Sequence, residues 1–100
     1  MKKCVTIYGN ISISQEILET LLATGVSHYT QWPRLVGVGP VTGPRLDSHV
    51  WPGANTCFQT VVEAETAERL LDALQALRDS PAGKRSGLFA FSSPVDRELV

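Results

Sequence analysis

The sequence has few of the features that mark membrane proteins, nucleic-acid-binding proteins and enzymes. Its 100 residues contain no apolar run near the length of about 20 residues that a membrane-spanning helix needs, and the first ten residues do not fit a secretory signal. A net charge of −1 gives no general attraction to nucleic acid or to an anionic membrane. We therefore expect a cytoplasmic protein that neither binds nucleic acid nor inserts directly into a membrane.

Motifs of catalysis are scarce as well. The sequence has no HExxH motif, no nucleophile elbow and no phosphate-binding P-loop, so we predict that the protein is not an enzyme. The two cysteines, Cys4 and Cys57, are far apart and form no CxxC pair. In a reducing cytoplasm this predicts two free, mostly buried thiols.

The first half of the chain has the pattern of a strand, a helix and a second extended segment. β-Branched and aromatic residues predict a strand over 3–8. The helix that follows is predicted to be capped by Ser12 or Ser14 and to end at Gly25, because glycine adopts the left-handed conformation of a helix C-terminus without steric cost. Residues 28–38 are extended in character.

The second half repeats this pattern after a long connection. Residues 39–54 are rich in glycine and proline and therefore predict a loop. Loops of this length in a compact domain are usually functional or mobile. A strand over 55–62 leads into a helix that is ended by 80–83, and 88–91 predicts a short last strand. The polar tail from Ser92 is predicted to be frayed.

Two such halves predict one domain, 1–100, of the α+β class. The expected arrangement is a ferredoxin-like βαββαβ sandwich, a four-stranded antiparallel sheet with both helices on one face. Pro33 has no N–H group to donate, so it should lie at a sheet edge or a bulge. Consecutive apolar residues, such as Val61 and Val62, indicate that both faces of the sheet are buried, which favours self-association through the open face.

The long loop combines a cation, an imidazole and an indole. One interpretation gives Arg45 bidentate contacts with an anion, and gives Trp51 and His49 contacts with a partner. The other makes Trp51 a hydrophobic anchor that holds an otherwise solvated loop. Both interpretations stay open at this point.

A glycine-flanked basic turn, GKRSG, precedes the last strand. Its backbone amides, with Lys84 and Arg85, suit a phosphate group, while the alternative is a turn that is simply solvated. Neither this turn nor the loop alone would hold a nucleotide, so the prediction requires the two to meet.

The soft and borderline metal ligands of the sequence are two histidines and two cysteines. They give an alternative function, a copper- or zinc-responsive binding protein that uses His49 or His28 with a cysteine. Their spacing does not match a metal motif, and burial accounts for the cysteines more simply.

The sequence resembles the P-II-like (PII-like) proteins, the superfamily of the nitrogen-regulatory P-II signalling proteins and their shortened relatives, over most of its length. The overall pattern is more specific than any one motif. The matching segments are Met1–Lys3, Gly25–Val26, Val36–Gly39, Pro52 ahead of Val61–Val62, the acidic start of the second helix, and the run GKRSGLFAFSSPV at 83–95.

The resemblance implies a homotrimer whose clefts between subunits bind adenine nucleotides (ATP, ADP or AMP) and sometimes a small carboxylate or bicarbonate. It also implies a loop, about 39–53, that contacts a target protein such as a membrane transporter or an enzyme. Combined with the residues above, the predicted nucleotide or anion site is Gly37, Gly39, Arg45, Lys84, Arg85 and Gly87, and the predicted partner contacts are Arg45, His49 and Trp51.

The sequence departs from the P-II proteins at three points. Pro40 and Val41 replace an arginine and a glutamine that engage nucleotide and 2-oxoglutarate, which argues against 2-oxoglutarate sensing. The loop lacks the tyrosine that is uridylylated in P-II proteins, and Gly87 replaces a phosphate-binding lysine. The expected function is that of a regulator or sensor whose ligand orders its loop.

Overall fold

The computed structural model describes residues 1–40, 43–48 and 53–100. Four strands of this part form an antiparallel sheet in the order β2-β5-β1-β6. This architecture confirms the predicted ferredoxin-like α+β fold. The elements are β1 (Lys2–Asn10), α1 (Ser14–Ala23), β2 (Thr30–Leu35), β3 (Gly37–Gly39), β4 (Gly43–Arg45), β5 (Asn55–Glu63), α2 (Ala64–Asp79) and β6 (Phe89–Pro94).

The core lies between the sheet and the two helices. Alternate residues of the central strands point toward the helices, since side chains alternate between the two faces of a strand. Burying one large apolar side chain stabilises a fold by about 1.5–3 kcal/mol, so this layer dominates the stability of the domain. Its members are Val5 and Ile7 of β1, Phe58 and Val62 of β5, Ile17 and Leu21 of α1, and Ala67, Leu70 and Leu74 of α2.

The start of α1 differs from the prediction. Asn10 Oδ1 accepts a hydrogen bond of 2.9 Å from the Ser12 N–H and caps a short 3-10 turn over Ile11–Ile13, which leads into α1. The expected caps at Ser12 and Ser14 were wrong, because no side-chain capping bond forms at the start of α1. β1 runs directly into the turn, and its last residue is itself a good N-cap.

The end of α1 confirms the prediction at Gly25. This residue has φ of 91°, and its N–H donates to the Leu22 carbonyl at 3.0 Å. The Val26 N–H donates to the Leu21 carbonyl, also at 3.0 Å. Together these bonds form a Schellman motif, which satisfies the last carbonyl groups of the helix.

The predicted extended segment of 28–38 and the predicted loop of 39–54 are divided differently in the structure. β2 is an edge strand whose pairing with β5 shifts register between Trp32 and Leu35, which puts Pro33 at a bulge as predicted. β3 and β4 form a separate two-stranded hairpin, in which β3 ends where the predicted loop of 39–54 begins and β4 lies inside that loop. The loop prediction was wrong there because Pro44 pairs opposite Val38 in a two-stranded ribbon, where a missing N–H group is tolerated.

The last strand is longer than predicted. β6 continues to Pro94, with Ser92 and Ser93 paired to β1, and the Val95 N–H donates to the Lys2 carbonyl at 3.1 Å. A frayed tail from Ser92 was therefore a wrong prediction. The pairing uses main-chain groups, which do not depend on side-chain polarity.

The face of the sheet opposite the helices is aromatic and open. Trp32, Phe89 and Phe91 are 42 %, 56 % and 43 % exposed, and Tyr8 stacks on Phe89 at a ring-centroid distance of 6.4 Å. We call this surface the open face. Exposed apolar surface of this kind commonly marks an interaction site.

Both cysteines are free thiols, as predicted. Cys57 is buried and Cys4 is half-buried. Burial raises the pKa of the Cys57 thiol, because a thiolate loses its hydration there. No helix within the described residues is long and apolar enough to cross a membrane.

Candidate functional site

A cavity of about 290 Å³ lies where the β3–β4 hairpin meets the end of the large sheet. It includes four of the six predicted site residues. These four are Gly37 and Gly39 of β3, Arg45 at the end of β4, and Gly87 of the basic turn. The rest of the wall is mostly apolar, formed by Leu35, Val36, Val38, Pro40 and Phe89, with Tyr8 and Asn55 as further polar residues.

Arg45 joins the hairpin to the basic turn. Its side chain is buried, with 9 % of the residue exposed. Nη1 donates to Asn55 Oδ1 and to the Ser86 carbonyl, each at 3.0 Å. Nη2 donates to the Arg85 carbonyl at 3.1 Å. The loop and the basic turn therefore meet, as the sequence-based prediction of the site required.

The guanidinium of Arg45 has no acidic partner among the described residues. Four ion pairs form in this part of the chain, and none of them includes Arg45. Its three hydrogen-bond acceptors there are neutral oxygens. Burial lowers the pKa of Arg45, because desolvation disfavours the charged form. Arginine nevertheless stays protonated in proteins, so the described part of the cavity wall carries a buried positive charge without a counter-ion.

The basic turn is held rigidly against neighbouring elements. The Ser86 carbonyl accepts from the Asn10 N–H at 2.8 Å as well as from Arg45. The Ser86 hydroxyl donates to the Gly83 carbonyl at 2.5 Å. Gly83 itself lies against the end of α2, where a Cβ atom would stand 1.8 Å from the Leu77 carbonyl oxygen. The turn therefore has one position relative to α2 and β1.

Lys84 and Arg85 do not line the cavity. Both side chains are exposed, and Arg85 contributes to the site through its carbonyl group, which accepts from Arg45. Three amides of the turn are used internally, since the N–H groups of Gly83 and Lys84 donate to the Ser80 carbonyl and that of Ser86 to the Gly83 carbonyl. The turn is thus partly closed on itself rather than an open cradle of amides.

The base of the predicted partner loop is held by two contacts. Arg34 Nη1 lies 2.9 Å from Asp47 Oδ1 in an exposed ion pair, and the Asp47 N–H donates to the Gly53 carbonyl at 2.8 Å. The hydrogen bond brings Asp47 and Gly53 together, and the ion pair connects Asp47 to Arg34 of β2. The predicted partner contacts His49 and Trp51 lie outside the described residues.

The residues of the alternative metal site do not gather in the described part of the chain. His28 Nε2 lies 3.3 Å from the Val61 carbonyl oxygen, which accepts only, so this nitrogen carries the proton there. Cys4 pairs opposite Val61, and Cys57 pairs opposite Tyr8. Cys57 is therefore four residues along β5 from the position opposite Cys4. No three histidine, cysteine or acidic residues come together among the described residues. His49, the other histidine of that prediction, lies outside them.

Two residues that hold Arg45 in the candidate site are not predicted from the sequence, Asn55 and Ser86. Both bind Arg45 through an oxygen atom, and both are distant from it in sequence. Short polar residues of this kind carry no pattern that distinguishes them from ordinary strand or turn residues. The pairing of Asn55 with Asn10 at the end of β1 is visible only in the folded chain.

Comparison with known proteins shows what the fold resembles. No protein-family model and no curated protein matches the sequence. A protein from Thermus thermophilus that is described as a PII-like signalling protein is 24% identical with a TM-score of 0.63, covering 92% of this chain and 84% of its own. CPII, a nitrogen regulatory PII-like protein from Thiomonas intermedia, is similar in a structure bound to ADP, AMP and bicarbonate (18% identity, TM-score 0.73, 92% and 83% covered). A second CPII structure, bound to ADP and bicarbonate, is also similar, with 23% identity, a TM-score of 0.68, and coverage of 96% of this chain and 89% of its own. The chain therefore has a PII-like fold.

Proposed function

We propose that this protein is a PII-like regulator that binds an adenine nucleotide or a small oxyanion such as bicarbonate in the cavity described above. The observation that carries the proposal is the buried guanidinium of Arg45, a residue of the cavity wall, which has no acidic partner among the described residues. The role is one of binding and signalling rather than catalysis.

An anionic ligand would complete the electrostatics of the site. A buried charge without a counter-charge is costly, since neutral oxygens replace only part of its lost hydration. A phosphate or carboxylate group beside Arg45 would supply the missing charge and accept strong, charge-assisted hydrogen bonds. The formal charge of the whole protein is −1, so the attraction for an anion is local to this cavity.

The apolar part of the wall suits a nucleotide base. The rings of Tyr8 and Phe89 are nearly parallel, with an interplanar angle of 15°, and Phe89 is 56 % exposed. Stacking of a base on an aromatic side chain contributes roughly 1–3 kcal/mol in single-stranded nucleic acid complexes. A cation and an aromatic surface within one cavity thus match the two ends of a nucleotide.

The cavity also indicates how copies of the chain associate. Its volume of about 290 Å³ is at the lower limit of the roughly 300–1,000 Å³ that ligand sites usually occupy, so a nucleotide would extend beyond it. Tyr8 and Phe89 belong both to the cavity wall and to the open face. A second copy packed on the open face would border the cavity, and we propose a homotrimer with the ligand in the clefts between subunits.

The structural neighbours support the same class of ligand. CPII is bound to ADP, AMP and bicarbonate in one structure and to ADP and bicarbonate in another. Those ligands share the phosphate or carboxylate oxygens that Arg45 is suited to bind. The loop of 39–53 is then the segment that contacts a target protein, and ligand binding regulates it only if one loop state binds the ligand more tightly.

Calorimetric titration of ATP, ADP and AMP, with and without bicarbonate, tests the proposal. We expect binding by the wild-type protein and a loss of at least about tenfold in Arg45→Met, because a charge-assisted hydrogen bond contributes about 1.5–3 kcal/mol. Arg34→Met is the matched control, since it removes a cation from the loop base that does not line the cavity. Absence of binding at millimolar concentrations, or equal losses in both variants, would contradict the proposal.

A further inference from the structure

The orientation of the Asn55 side chain is fixed by Arg45. Nη1 of Arg45 lies 3.0 Å from Asn55 Oδ1. A guanidinium has only donors, so the amide must present its oxygen to Arg45 and its nitrogen, Nδ2, to the opposite side. The hydrogen-bond chemistry therefore determines which way the amide faces.

Asn55 Nδ2 lies beside a wall position that has no side chain. A Cβ atom at Gly37 would stand 3.6 Å from Nδ2, and among the described residues beyond its chain neighbours it would meet no other atom within 4 Å. Both residues line the cavity, and Asn55 is half-buried. Among the described residues no acceptor takes a hydrogen bond from Nδ2. The amide nitrogen is thus a donor that the bare glycine leaves uncovered at the cavity.

We propose that Asn55 Nδ2 donates a hydrogen bond to an oxyanion oxygen of the bound ligand, with Arg45 as the positioning residue that orients the amide. The inference rests on the proposed function and adds a neutral donor to the cation of the site. The ligand group is a phosphate or a carboxylate, because the donor lies next to the buried positive charge.

Asn55→Asp tests this assignment without removing the partner of Arg45. The new carboxylate keeps an oxygen toward the guanidinium and forms an ion pair with it, so the variant should fold. It replaces the Nδ2 donor by an acceptor and neutralises the cation. AMP and bicarbonate are titrated separately by calorimetry. We expect Asn55→Asp to lose about 10- to 100-fold in affinity for the ligand whose oxygen Asn55 contacts.

Asn10→Asp is the matched control. Asn10 pairs directly opposite Asn55 across β1 and β5, so the variant adds the same charge near the site, and aspartate still caps the following turn. Gly37→Ala is a second test that adds no charge. Its methyl group would lie in ordinary contact with Nδ2 and cover it, and we expect at least a threefold loss of affinity with an unchanged melting temperature.

The outcomes separate this inference from the proposed function. Loss for AMP alone assigns the oxygen to phosphate, and loss for bicarbonate alone assigns it to a carboxylate. If the wild type binds but Asn55→Asp stays within threefold of it, the assignment of Asn55 is wrong. The assignment is also wrong if Asn10→Asp loses as much ligand affinity as Asn55→Asp, or if Gly37→Ala has the affinity of the wild type. A wild type that binds none of ATP, ADP, AMP and bicarbonate refutes the proposed function and, with it, this inference.

Discussion

Replacing Gly83 by alanine should damage both the fold and the site. A Cβ atom at this position would lie 1.8 Å from the Leu77 carbonyl oxygen, 2.7 Å from its carbonyl carbon and 2.9 Å from Arg78 Cα. Close C–H···O contacts need roughly 3.3 Å between carbon and oxygen, so the first distance is short by about 1.5 Å. All three atoms are backbone at the end of α2, and no side-chain rotation can relieve the overlap. The turn must move.

Movement of the turn would break contacts that fix the cavity. The Arg85 and Ser86 carbonyls would leave the Arg45 guanidinium, and hydrogen bonds to a charged group contribute about 1.5–3 kcal/mol each. We therefore expect Gly83→Ala to lower the free energy of unfolding by about 3–5 kcal/mol, a large part of the roughly 5–15 kcal/mol of a typical domain. At about 4–8 °C per kcal/mol for domains up to 100 residues, the melting temperature should fall by about 12 °C or more.

Urea and thermal unfolding followed by circular dichroism measure this effect. Gly25→Ala is the control for loss of a glycine, because a Cβ atom there meets no other part of the described chain within 4 Å, its neighbours in sequence aside, although φ is 91°. We expect a cost of about 1–2 kcal/mol from that left-handed backbone. The steric reasoning fails if the free energy of unfolding of Gly83→Ala is within about 1 kcal/mol of the wild-type value. It also fails if that free energy is no lower than the value for Gly25→Ala.

Three further predictions concern the open face, the buried thiol and the loop base. Phe91→Glu should shift the mass measured by light scattering from the oligomer to the monomer, because it places a charge in the proposed interface, and an unchanged mass would contradict that interface. Folding raises the pKa of the Cys57 thiol. The thiol's contribution to stability is therefore fully present at pH values below its pKa in the unfolded chain, and it is lost as the pH rises through its pKa in the folded chain. The wild type should therefore lose more unfolding free energy than Cys57→Ala between pH 8 and 10, and parallel losses in the two would refute this. Asp47→Asn removes an exposed ion pair but keeps a residue type that tolerates the φ of 54° at this position. It should lower the unfolding free energy, measured in urea, by less than about 1 kcal/mol, whereas a larger loss would show that the pair does more than hold the loop base.

The elements that sequence predicts well are those whose physical signal is local. Gly25 ends α1 because its left-handed backbone is needed at that residue, and Pro33 lies at a bulge because it lacks a donor. The β3–β4 hairpin is not predicted from the sequence, because glycine and proline are typical of loops rather than of strands. Its stability depends on pairing across the turn rather than on propensity along the chain. Ser92 and Ser93 were misjudged for the same reason, since main-chain pairing with β1 holds them.

The site was predictable only as a set of separate segments. The glycines of β3 and the arginine of β4 stood out by composition, and they do line the cavity together with Gly87. What the sequence could not show is which groups of the basic turn face inward. Its side-chain cations, Lys84 and Arg85, remain exposed, while two of its carbonyl groups turn toward Arg45, an outcome set by the packing of Gly83 on α2.

The same network gives ligand binding a route to the loop. Arg45 ends β4, one arm of the hairpin, while its guanidinium holds the carbonyls of the basic turn. Three of the five N–H groups of the guanidinium are already used, so an oxyanion that accepts more than two hydrogen bonds from Arg45 would compete with those carbonyls or with Asn55 Oδ1. Its binding energy would then change the balance between two arrangements of the hairpin relative to the turn, and only such a difference between states can carry a signal. Val38 and Gly39 of the hairpin line the same cavity, so the apolar part of a ligand would contact the hairpin as well. The anionic group adds the contact that also reaches the basic turn, because Arg45 holds the carbonyls of that turn.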